Sequence, residues 1–181
     1  MNVLRILLFS LFTSLTAFGV TVDRELPAGN GIVDGIEGDT VLVRQDLSTT
    51  DRNGWFYWAF RVKGAAGRTL TFDFKNGYHT SVGPRGPVVT LDRGKTYSYA
   101  AAEGATGRSF AFAFPKDADE VWFYQAWPYL PADWERFLAA HEEVRGKWFE
   151  TGVLCTSRKG RTVPRARFGC LDGSPKHRVL M

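Results

Sequence analysis

Histidine and cysteine are scarce in this chain, which has three histidines and two cysteines among 181 residues. The scarcity bears on metal binding, because zinc sites in proteins are built mainly from these side chains. The sequence also lacks a His-Glu-x-x-His pair, a Gly-x-Ser-x-Gly elbow and a Gly-x-x-x-x-Gly-Lys-Ser/Thr loop. These absences argue against a metalloprotease of that type, a serine hydrolase and a phosphate-loop nucleotide-binding protein, respectively.

The few side chains able to bind a metal do not form a recognisable site. Those considered are His79, His141 and His177 for zinc, and Asp117, Asp119 and Glu120 for calcium. His141 precedes two glutamates but has no second histidine at helical spacing, and His177 lies between two basic residues. The three carboxylates fit an ordinary acidic turn. We interpret the histidines as surface residues, predict no catalytic residue and no metal ligand, and leave substrate-binding residues unassigned.

Long apolar runs are also absent, since none reaches the roughly 20 residues of a membrane-spanning helix. The apolar run Ile6–Phe18 follows the positively charged start Met1–Arg5 and ends in small residues around Gly19. This pattern is typical of a secretory signal peptide. We predict a signal peptide over residues 1–19, cleavage near Gly19, secretion or export to the periplasm, and no stable membrane anchor.

The two cysteines, Cys155 and Cys170, would meet an oxidising environment after export, where disulfides form. If the strands around them turn at Ser157–Arg161, Cys155 lies opposite a residue near Arg165 and not opposite Cys170. A disulfide requires a close approach of the two Cα atoms. The predicted pairing of the strands therefore argues against the bond, and the alternative that the two cysteines pair stays open.

The formal net charge is +4, and the excess of basic residues is concentrated after Val144. That part of the chain contains Arg145, Lys147, Arg158, Lys159, Arg161, Arg165, Arg167, Lys176 and Arg178, against only Glu150 and Asp172. A basic segment can indicate nucleic-acid binding. Because no aromatic platform or nucleic-acid module accompanies these residues, we expect a solvated or partner-facing surface and no nucleic acid.

Short aromatic and β-branched runs, separated by turn residues, make up most of the chain before Leu130. The runs predicted as strands are Thr40–Gln45, Trp55–Val62, Thr69–Phe74, Val88–Leu91, Thr96–Ala100 and Ser109–Phe114. We expect the second and third of them to form a hairpin, and Pro27–Gly31 to be a turn-rich leader. Strands at this spacing predict a mainly β fold, an antiparallel jelly-roll-like β-sandwich over residues 20–130.

The stretch Val121–Leu130 is predicted to contain an inner strand of this sandwich. Alternation places Val121, Phe123, Gln125 and Trp127 on one face, and Trp122, Tyr124 and Ala126 on the other. Both faces are mostly apolar, which is typical of a strand covered on both sides. Pro128 has no backbone donor and ends the strand. We expect the aromatic rings to belong to the core rather than to a binding platform.

The pattern changes after Leu130. A helix is predicted from about Ala132 to Val144, with Pro131 at its start, in a linking segment of residues 131–146. Its apolar face contains Trp134, Phe137, Leu138 and Val144. Strands are predicted at Phe149–Thr156 and Val163–Gly169, and another begins at His177–Met181. We expect residues 147–181 to be the truncated start of an α/β domain.

Seven segments stand out in order along the chain. They are Asp46-Leu47, Trp55–Trp58, Val82–Pro87, Phe114–Val121, Trp127–Tyr129, Leu154–Arg161 and Arg178–Met181. Together they resemble the zinc metallocarboxypeptidases of the carboxypeptidase A superfamily, in the branch related to the cytosolic carboxypeptidases. The resemblance implies a β-sandwich that precedes a catalytic domain, and it covers nearly all of the chain after the predicted signal peptide.

The resemblance also implies removal of C-terminal residues from peptides. In that family a His-x-x-Glu pair and a later histidine hold zinc, an arginine binds the substrate's terminal carboxylate, and a glutamate is the general base. No His-x-x-Glu occurs in this sequence, so none of these roles is assigned to a residue here. We expect the N-terminal portion of an exported enzyme, inactive as this chain alone. Zinc is then the cofactor of the complete protein only, and peptide or protein C-termini are its partners.

Two other hypotheses are kept. A non-catalytic β-sandwich could bind carbohydrate or peptide, because exposed members of the six tryptophans would stack on sugars. A degenerate remnant is the third hypothesis, in which the apolar residues Val179–Met181 lack a covering layer. The reading frame beyond codon 181, with the intact mass of the native protein, distinguishes an enzyme fragment from a free-standing module.

Overall fold

The computed structural model describes residues 19–48, 57–75, 81–100, 107–172 and 176–177. The chain divides into two compact units, one up to Pro128 and one from Tyr129. Residues 1–18 of the predicted signal peptide, His79 and the segment Arg178–Met181 lie outside the described residues. No helix within the described ranges combines the length and the apolar character needed to cross a membrane.

The described elements are mostly β-strands. They are β1 (Thr21–Asp23), β2 (Gly31–Glu37), β3 (Thr40–Gln45), β4 (Ala59–Lys63), β5 (Thr69–Asp73), β6 (Val88–Thr90), β7 (Ser98–Tyr99), β8 (Ser109–Ala113), β9 (Glu120–Tyr124), α1 (Pro131–Ala140), β10 (Phe149–Thr156) and β11 (Thr162–Phe168). A 3₁₀ turn at Glu142–Val144 follows α1. The mainly β fold predicted from the sequence is therefore confirmed.

The first unit is a sandwich of two sheets. The first sheet has the order β1-β4-β9-β6-β7, and every neighbouring pair is antiparallel. The second sheet has the order β2-β3-β5-β8, in which β3 and β5 run parallel and the outer pairs antiparallel. The strand predicted as an inner one, β9, occupies the middle of the first sheet.

The predicted hairpin of Trp55–Val62 with Thr69–Phe74 is wrong. β4 pairs with β1 and β9, whereas β5 pairs with β3 and β8 in the other sheet. Phe60 of β4 instead faces Phe72 of β5 across the sandwich, with ring centroids 5.1 Å apart. The connection between the strands therefore crosses from sheet to sheet. It contains Gly64 and Gly67 at φ values of 70° and 73°, a backbone region that glycine adopts without strain.

The core lies between the two sheets and follows from period-two alternation. Its fully buried side chains include Val41, Val43, Trp58, Phe60, Val62, Leu70, Phe72, Phe74, Phe110, Val121 and Phe123. The ring of Phe123 lies 5.4 Å from that of Phe60 and 5.2 Å from that of Phe72. Burying a large apolar side chain contributes about 1.5–3 kcal/mol, so this aromatic core is the main source of the unit's stability.

Two strands of the sandwich, β1 and β2, are not predicted by the sequence analysis. The segment Pro27–Gly31, interpreted as a leader, forms the later part of their connection and the first residue of β2. Asn30 positions it, because its side-chain Nδ2 donates to the Tyr57 carbonyl at 3.0 Å and its Oδ1 accepts from the Ala59 N–H at 2.9 Å. The next residue approaches β4 so closely that a Cβ on Gly31 would lie 3.0 Å from the Cβ of Phe60. These contacts make the segment part of the sandwich.

The second unit contains α1 and the β10–β11 hairpin. The helix begins at Pro131, but it ends at Ala140 rather than at the predicted Val144. His141 has φ −127° and ψ 26°, which is not helical, and its Nδ1 lies 2.8 Å from the Phe137 carbonyl oxygen. The start of the helix is capped, since the backbone N–H of Leu130 donates to Asp133 Oδ2 at 2.6 Å. Leu138 is the buried residue of the helix.

The hairpin corresponds to the two strands predicted after the helix. Phe149 lies opposite Phe168, and Cys155 lies opposite Val163, two positions from the residue expected. A shift in register between Val153 and Cys155 accounts for part of this difference. Both cysteines are free and exposed. The structure therefore agrees with the strand pairing that argued against a disulfide.

Candidate functional site: an aromatic face on the sandwich

The side chains considered for metal binding that lie in the described ranges do not form a metal site. Among the described residues, no group of three His, Cys, Asp or Glu side chains could hold a metal ion. His141, His177, Asp117 and Asp119 are all exposed.

Glu120, the third carboxylate considered for calcium, is occupied by protein groups. Its Oε1 accepts a hydrogen bond from Trp122 Nε1 at 2.7 Å. Arg93 Nε lies 3.4 Å from the same oxygen, and Lys63 Nζ lies 4.0 Å from Oε2. These cations satisfy the carboxylate, so Glu120 belongs to a surface ion-pair network on the first sheet.

A shallow, open groove of about 460 Å³ lies at the edge of the sandwich between β1 and β2. It is lined by Val22, Asp23, Arg24, Glu25, Gly31, Ile32 and Val33. Arg61 donates to both Asp23 oxygens, at 3.0 and 2.9 Å, and to Glu25 at 2.7 Å. Arg24 in turn lies 3.2 Å from Asp46 Oδ2, so each charged side chain that lines the groove already has a partner in the protein.

The outer face of the first sheet carries a layer of aromatic side chains. Tyr124 points away from the main core yet is fully buried, together with Ala59 and Val88. The partly buried side chains that cover them are Leu26, Tyr57, Tyr97, Tyr99 and Trp122. Trp127 lies further out and is 49% exposed. We call Tyr97, Tyr99 and Trp127 the aromatic face.

The rings of the aromatic face contact one another in fixed orientations. Trp127 and Tyr99 are nearly parallel, at an interplanar angle of 9° and a centroid distance of 5.6 Å. Trp127 also lies 6.0 Å from Tyr97, and Tyr97 meets Tyr124 edge-on at 5.9 Å. Offset stacks and edge-to-face pairs are the favourable aromatic geometries. The face is therefore a packed arrangement of rings with one large ring half exposed.

Two separate segments position these rings. Tyr99 lies in β7, Tyr97 lies just before it, and Trp127 lies beyond the end of β9. The prediction that Trp127 shares the face of Phe123 is wrong. The chain leaves the sheet after Tyr124 and bends at Gln125 and Ala126, so alternation no longer applies and Trp127 turns toward the tyrosines of the outer face. The expectation of core packing holds for Phe123 and Tyr124, which are buried, but not for Trp127.

Arg85 adds a cation to the aromatic face. Its guanidinium carbon lies 4.1 Å from the ring centroid of Tyr99, a cation–π contact. Arg85 is exposed, and it makes no ion pair with a described residue. Its loop is held by hydrogen bonds from the Val82 N–H to the Gly107 carbonyl at 3.1 Å and from the Gly86 N–H to the Gly83 carbonyl at 2.9 Å. The charge is thus presented at a defined position beside the rings.

The phenols beneath the aromatic face are kept neutral. Burial raises the pKa of Tyr57 to about 12, and the neighbouring Tyr97 acts in the same direction. Burial also raises the pKa of Tyr124 above its ordinary range, with Tyr97 and Tyr57 adding to the effect. At neutral pH the one formal charge among these residues is therefore that of Arg85. The arrangement can stack on an apolar surface and donate hydrogen bonds, but it holds no group suited to general-base chemistry at pH 7.

No protein-family model and no curated protein matches the sequence. Among solved structures, a metallo-carboxypeptidase from Burkholderia cenocepacia matches with a TM-score of 0.61 at 19% identity, over 87% of this chain and 42% of that one. A metallo-carboxypeptidase from Pseudomonas aeruginosa, in complex with (2-guanidinoethylmercapto)succinic acid, matches with a TM-score of 0.57 at 21% identity, over 80% of this chain and 39% of that one.

The match extends over most of this chain, and the chain spans about two fifths of the length of these carboxypeptidases. At this level of identity the likeness is one of fold. The β-sandwich, the helix and the hairpin are thus an architecture that also occurs within bacterial metallo-carboxypeptidases.

Proposed function

We propose that this chain is the sandwich-bearing, N-terminal portion of an exported zinc metallocarboxypeptidase, which as a complete protein removes C-terminal residues from peptides. The observation that carries the proposal is the fold match to two bacterial metallo-carboxypeptidases over 80% or more of this chain. The ordered sequence segments from Asp46 to Arg161 support the same relation. We place the chain in the branch related to the cytosolic carboxypeptidases, in which a sandwich precedes the catalytic domain.

The proposal assigns no catalytic step to the residues of this chain. No His-x-x-Glu pair occurs in its 181 residues. The described residues likewise show no cluster of metal-binding side chains. The zinc ligands and the general base of the complete protein are then supplied by other sequence, where zinc would activate water and polarise the scissile carbonyl.

We propose a structural rather than a catalytic role for the sandwich in the complete protein. Its buried aromatic core is large enough to fold as a unit, and it would support the catalytic domain or restrict access to the cleft of the complete enzyme. The apolar run and small residues at the start of the chain support export, so the substrates would be peptides or proteins outside the cytoplasm, recognised by their C-termini.

The experiment that tests the proposal begins with the coding sequence and the intact mass of the native protein. We expect the same reading frame to encode His-x-x-Glu, and the native protein to contain about one zinc ion per chain. It should release C-terminal residues from peptides, and a chelator should abolish the release. The purified 181-residue chain is the control and should show neither zinc nor activity. A frame without a zinc motif, or a native protein without chelator-sensitive activity, would overturn the proposal.

A further inference from the structure

The outer half of the β10–β11 hairpin, Val153–Arg165, concentrates positive charge, and we call it the basic tip. Its charged residues are Arg158, Lys159, Arg161 and Arg165, and it contains no aspartate or glutamate. All four are exposed, and none forms an ion pair with a described residue. At the other end of the hairpin, by contrast, Arg167 lies 3.2 Å from Glu150. Like charges repel one another, so the folding of the hairpin does not account for this cluster.

The turn of the hairpin fixes where two of the cations lie. The Ser157 N–H donates to the Arg161 carbonyl at 2.8 Å, and the Gly160 N–H donates to the Ser157 carbonyl at 2.9 Å. Gly160 has a φ of 73°, which glycine adopts without strain. Arg158 and Lys159 therefore occupy the extreme end of the ribbon, on a turn that is closed by backbone hydrogen bonds.

The other two cations share one face of β11. Arg161 and Arg165 are four residues apart, and side chains at even spacing along a strand lie on the same face. Arg165 is opposite Gly152, where an added Cβ would lie 3.2 Å from the Arg165 Nε. Because Gly152 has no side chain, the guanidinium group extends across the ribbon without obstruction. The positive charge thus continues from the turn onto this face.

Exposed aliphatic side chains accompany the cations. Val153 and Leu154 are 62% and 66% exposed. β10 is buried at Phe149, and its last four residues are exposed. The register shift between Val153 and Cys155 leaves Leu154 without an opposite residue on β11. The basic tip therefore combines unpaired positive charge with apolar surface.

We propose that the basic tip binds reversibly to an anionic phospholipid surface. Arg158, Lys159, Arg161 and Arg165 would contact the headgroup phosphates, because their side chains are donors without an acceptor group. Each lysine or arginine held near such a surface strengthens binding about fivefold. Val153 and Leu154 would enter the boundary between headgroups and acyl chains, as apolar residues of interfacial segments do. This contact is peripheral, and it does not depend on the proposed carboxypeptidase relation.

The size of the basic tip favours a lipid surface over a protein partner. Its strands pair over about five residues each, which gives a face of roughly 10 Å by 17 Å. That footprint is under about 200 Å², whereas a stable protein interface buries about 800 Å² on each partner. Attraction to an anionic membrane instead increases with the number of cations and needs no matching shape. A nucleic acid would attract the cations too, but its phosphates provide no apolar layer for Val153 and Leu154.

The test is co-sedimentation of the purified 181-residue chain with vesicles. One set contains phosphatidylcholine and phosphatidylglycerol in equal amounts, and the other contains phosphatidylcholine alone. A reductant keeps Cys155 and Cys170 as free thiols. We expect binding to the anionic vesicles at low ionic strength and little binding to the neutral ones. Binding should weaken strongly toward about 1 M salt, where charges are screened beyond about 3 Å.

Two double substitutions separate the basic tip from the overall charge. Arg158→Gln with Lys159→Gln should weaken binding to the anionic vesicles by about tenfold or more. Lys95→Gln with Lys116→Gln is the matched control, because it removes two exposed cations from the first unit. We expect the control to change the affinity by less than about threefold. Leu154→Ser should weaken binding and leave its salt dependence unchanged, since it removes apolar surface but no charge.

Three results would overturn the proposal. They are equal binding to neutral and anionic vesicles, equal weakening by the two double substitutions, and tighter binding to duplex DNA that Leu154→Ser does not affect. The last result would assign the basic tip to a nucleic acid. Thermal unfolding of each variant should match that of the original chain, which excludes misfolding as the cause of lost binding. The outcome is independent of the zinc experiment, because a chain without zinc or activity would still bind the anionic vesicles.

Discussion

The indole Nε1 of Trp58 donates a 2.6 Å hydrogen bond to the backbone carbonyl of Ser81. Both residues are fully buried, and the Oγ of Ser81 accepts a second bond, at 2.9 Å, from Nε2 of Gln45. Ser81 thereby joins the end of β3, the residue before β4 and the loop that leads to Arg85. Three of the segments that resemble the carboxypeptidases begin or end beside these residues. At these positions the segments therefore adjoin buried packing contacts of the sandwich.

Ser81→Ala tests this buried link. We expect it to lower the free energy of unfolding by about 1–3 kcal/mol, because a hydrogen bond in a fully buried position is lost. Urea unfolding followed by tryptophan fluorescence measures the change. Ser98→Ala is the matched control, since Ser98 is exposed in β7, and should change the free energy by less than about 0.5 kcal/mol. Equal effects of the two substitutions would show that the link does not stabilise the sandwich.

Much of the sandwich could be predicted because alternation reports burial directly. In β5, Leu70 and Phe72 are buried while Thr69 is exposed, and the sequence shows that order without ambiguity. β1 and β2 could not be predicted in this way. β1 has three residues, and β2 has the sequence GIVDGIE, whose glycines and carboxylates hide any alternation. These strands are specified by contacts with residues distant in sequence. Asn30, for example, donates a hydrogen bond to the Tyr57 carbonyl and accepts one from the Ala59 N–H.

The candidate site illustrates a second limit of sequence analysis. The orientation of Trp127 depends on the bend after Tyr124, and the partners of Trp127 lie in β7, far away in sequence. Alternation extended past the end of β9 therefore placed the ring on the wrong face. The proline at position 128 was a usable signal, because it marks the end of the ladder and hence the point near which alternation stops applying.

Asp23 and Arg61 give a prediction about acid stability. Burial opposes ionisation of Asp23, but hydrogen bonds from Arg61 and from the Glu25 N–H outweigh it and lower the pKa of the carboxyl. The pKa in the folded state therefore lies below the unfolded value of about 3.9. The stability that this group contributes is complete above the unfolded pKa and is lost as the pH falls through the folded pKa.

We therefore expect Asp23→Asn to reduce the free energy of unfolding at pH 7, and the difference from the original protein to shrink below about pH 4. Urea unfolding at a series of pH values measures this difference. Asp117→Asn is the control, because it removes the same charge from an exposed turn. A difference that is constant with pH, or that the control reproduces, would argue against the contribution of the Arg61 pair.

The raised pKa of Tyr57 leads to a prediction about stability at alkaline pH. The pKa of Tyr57 is about 12 in the folded protein, whereas that of an unfolded tyrosine is about 10. Below pH 10 the buried neutral phenol therefore makes its full contribution to the free energy of unfolding. That contribution is lost as the pH rises toward 12. We expect phenolate absorbance to show a late-ionising fraction of tyrosine that Tyr57→Phe reduces. Tyr129→Phe, which alters a side chain that is 69% exposed, should leave that late fraction unchanged. A late fraction insensitive to Tyr57→Phe would contradict the burial of this phenol.

The separation of Cys155 and Cys170 leads to a prediction about which disulfides oxidation can form. Phe149 pairs with Phe168, and Cys155 lies six residues along β10 from Phe149, or about 20 Å at the rise of a strand. Cys170 follows Phe168 by two residues, which span at most about 7 Å, so it cannot approach the Cα of Cys155 within the roughly 7 Å that a disulfide allows.

We expect both thiols to react in the native protein, because both are exposed. Mild oxidation should produce dimers linked between chains. Cys155→Ser and Cys170→Ser should each still form dimers, whereas an oxidised monomer without free thiols would show that the hairpin has a different register.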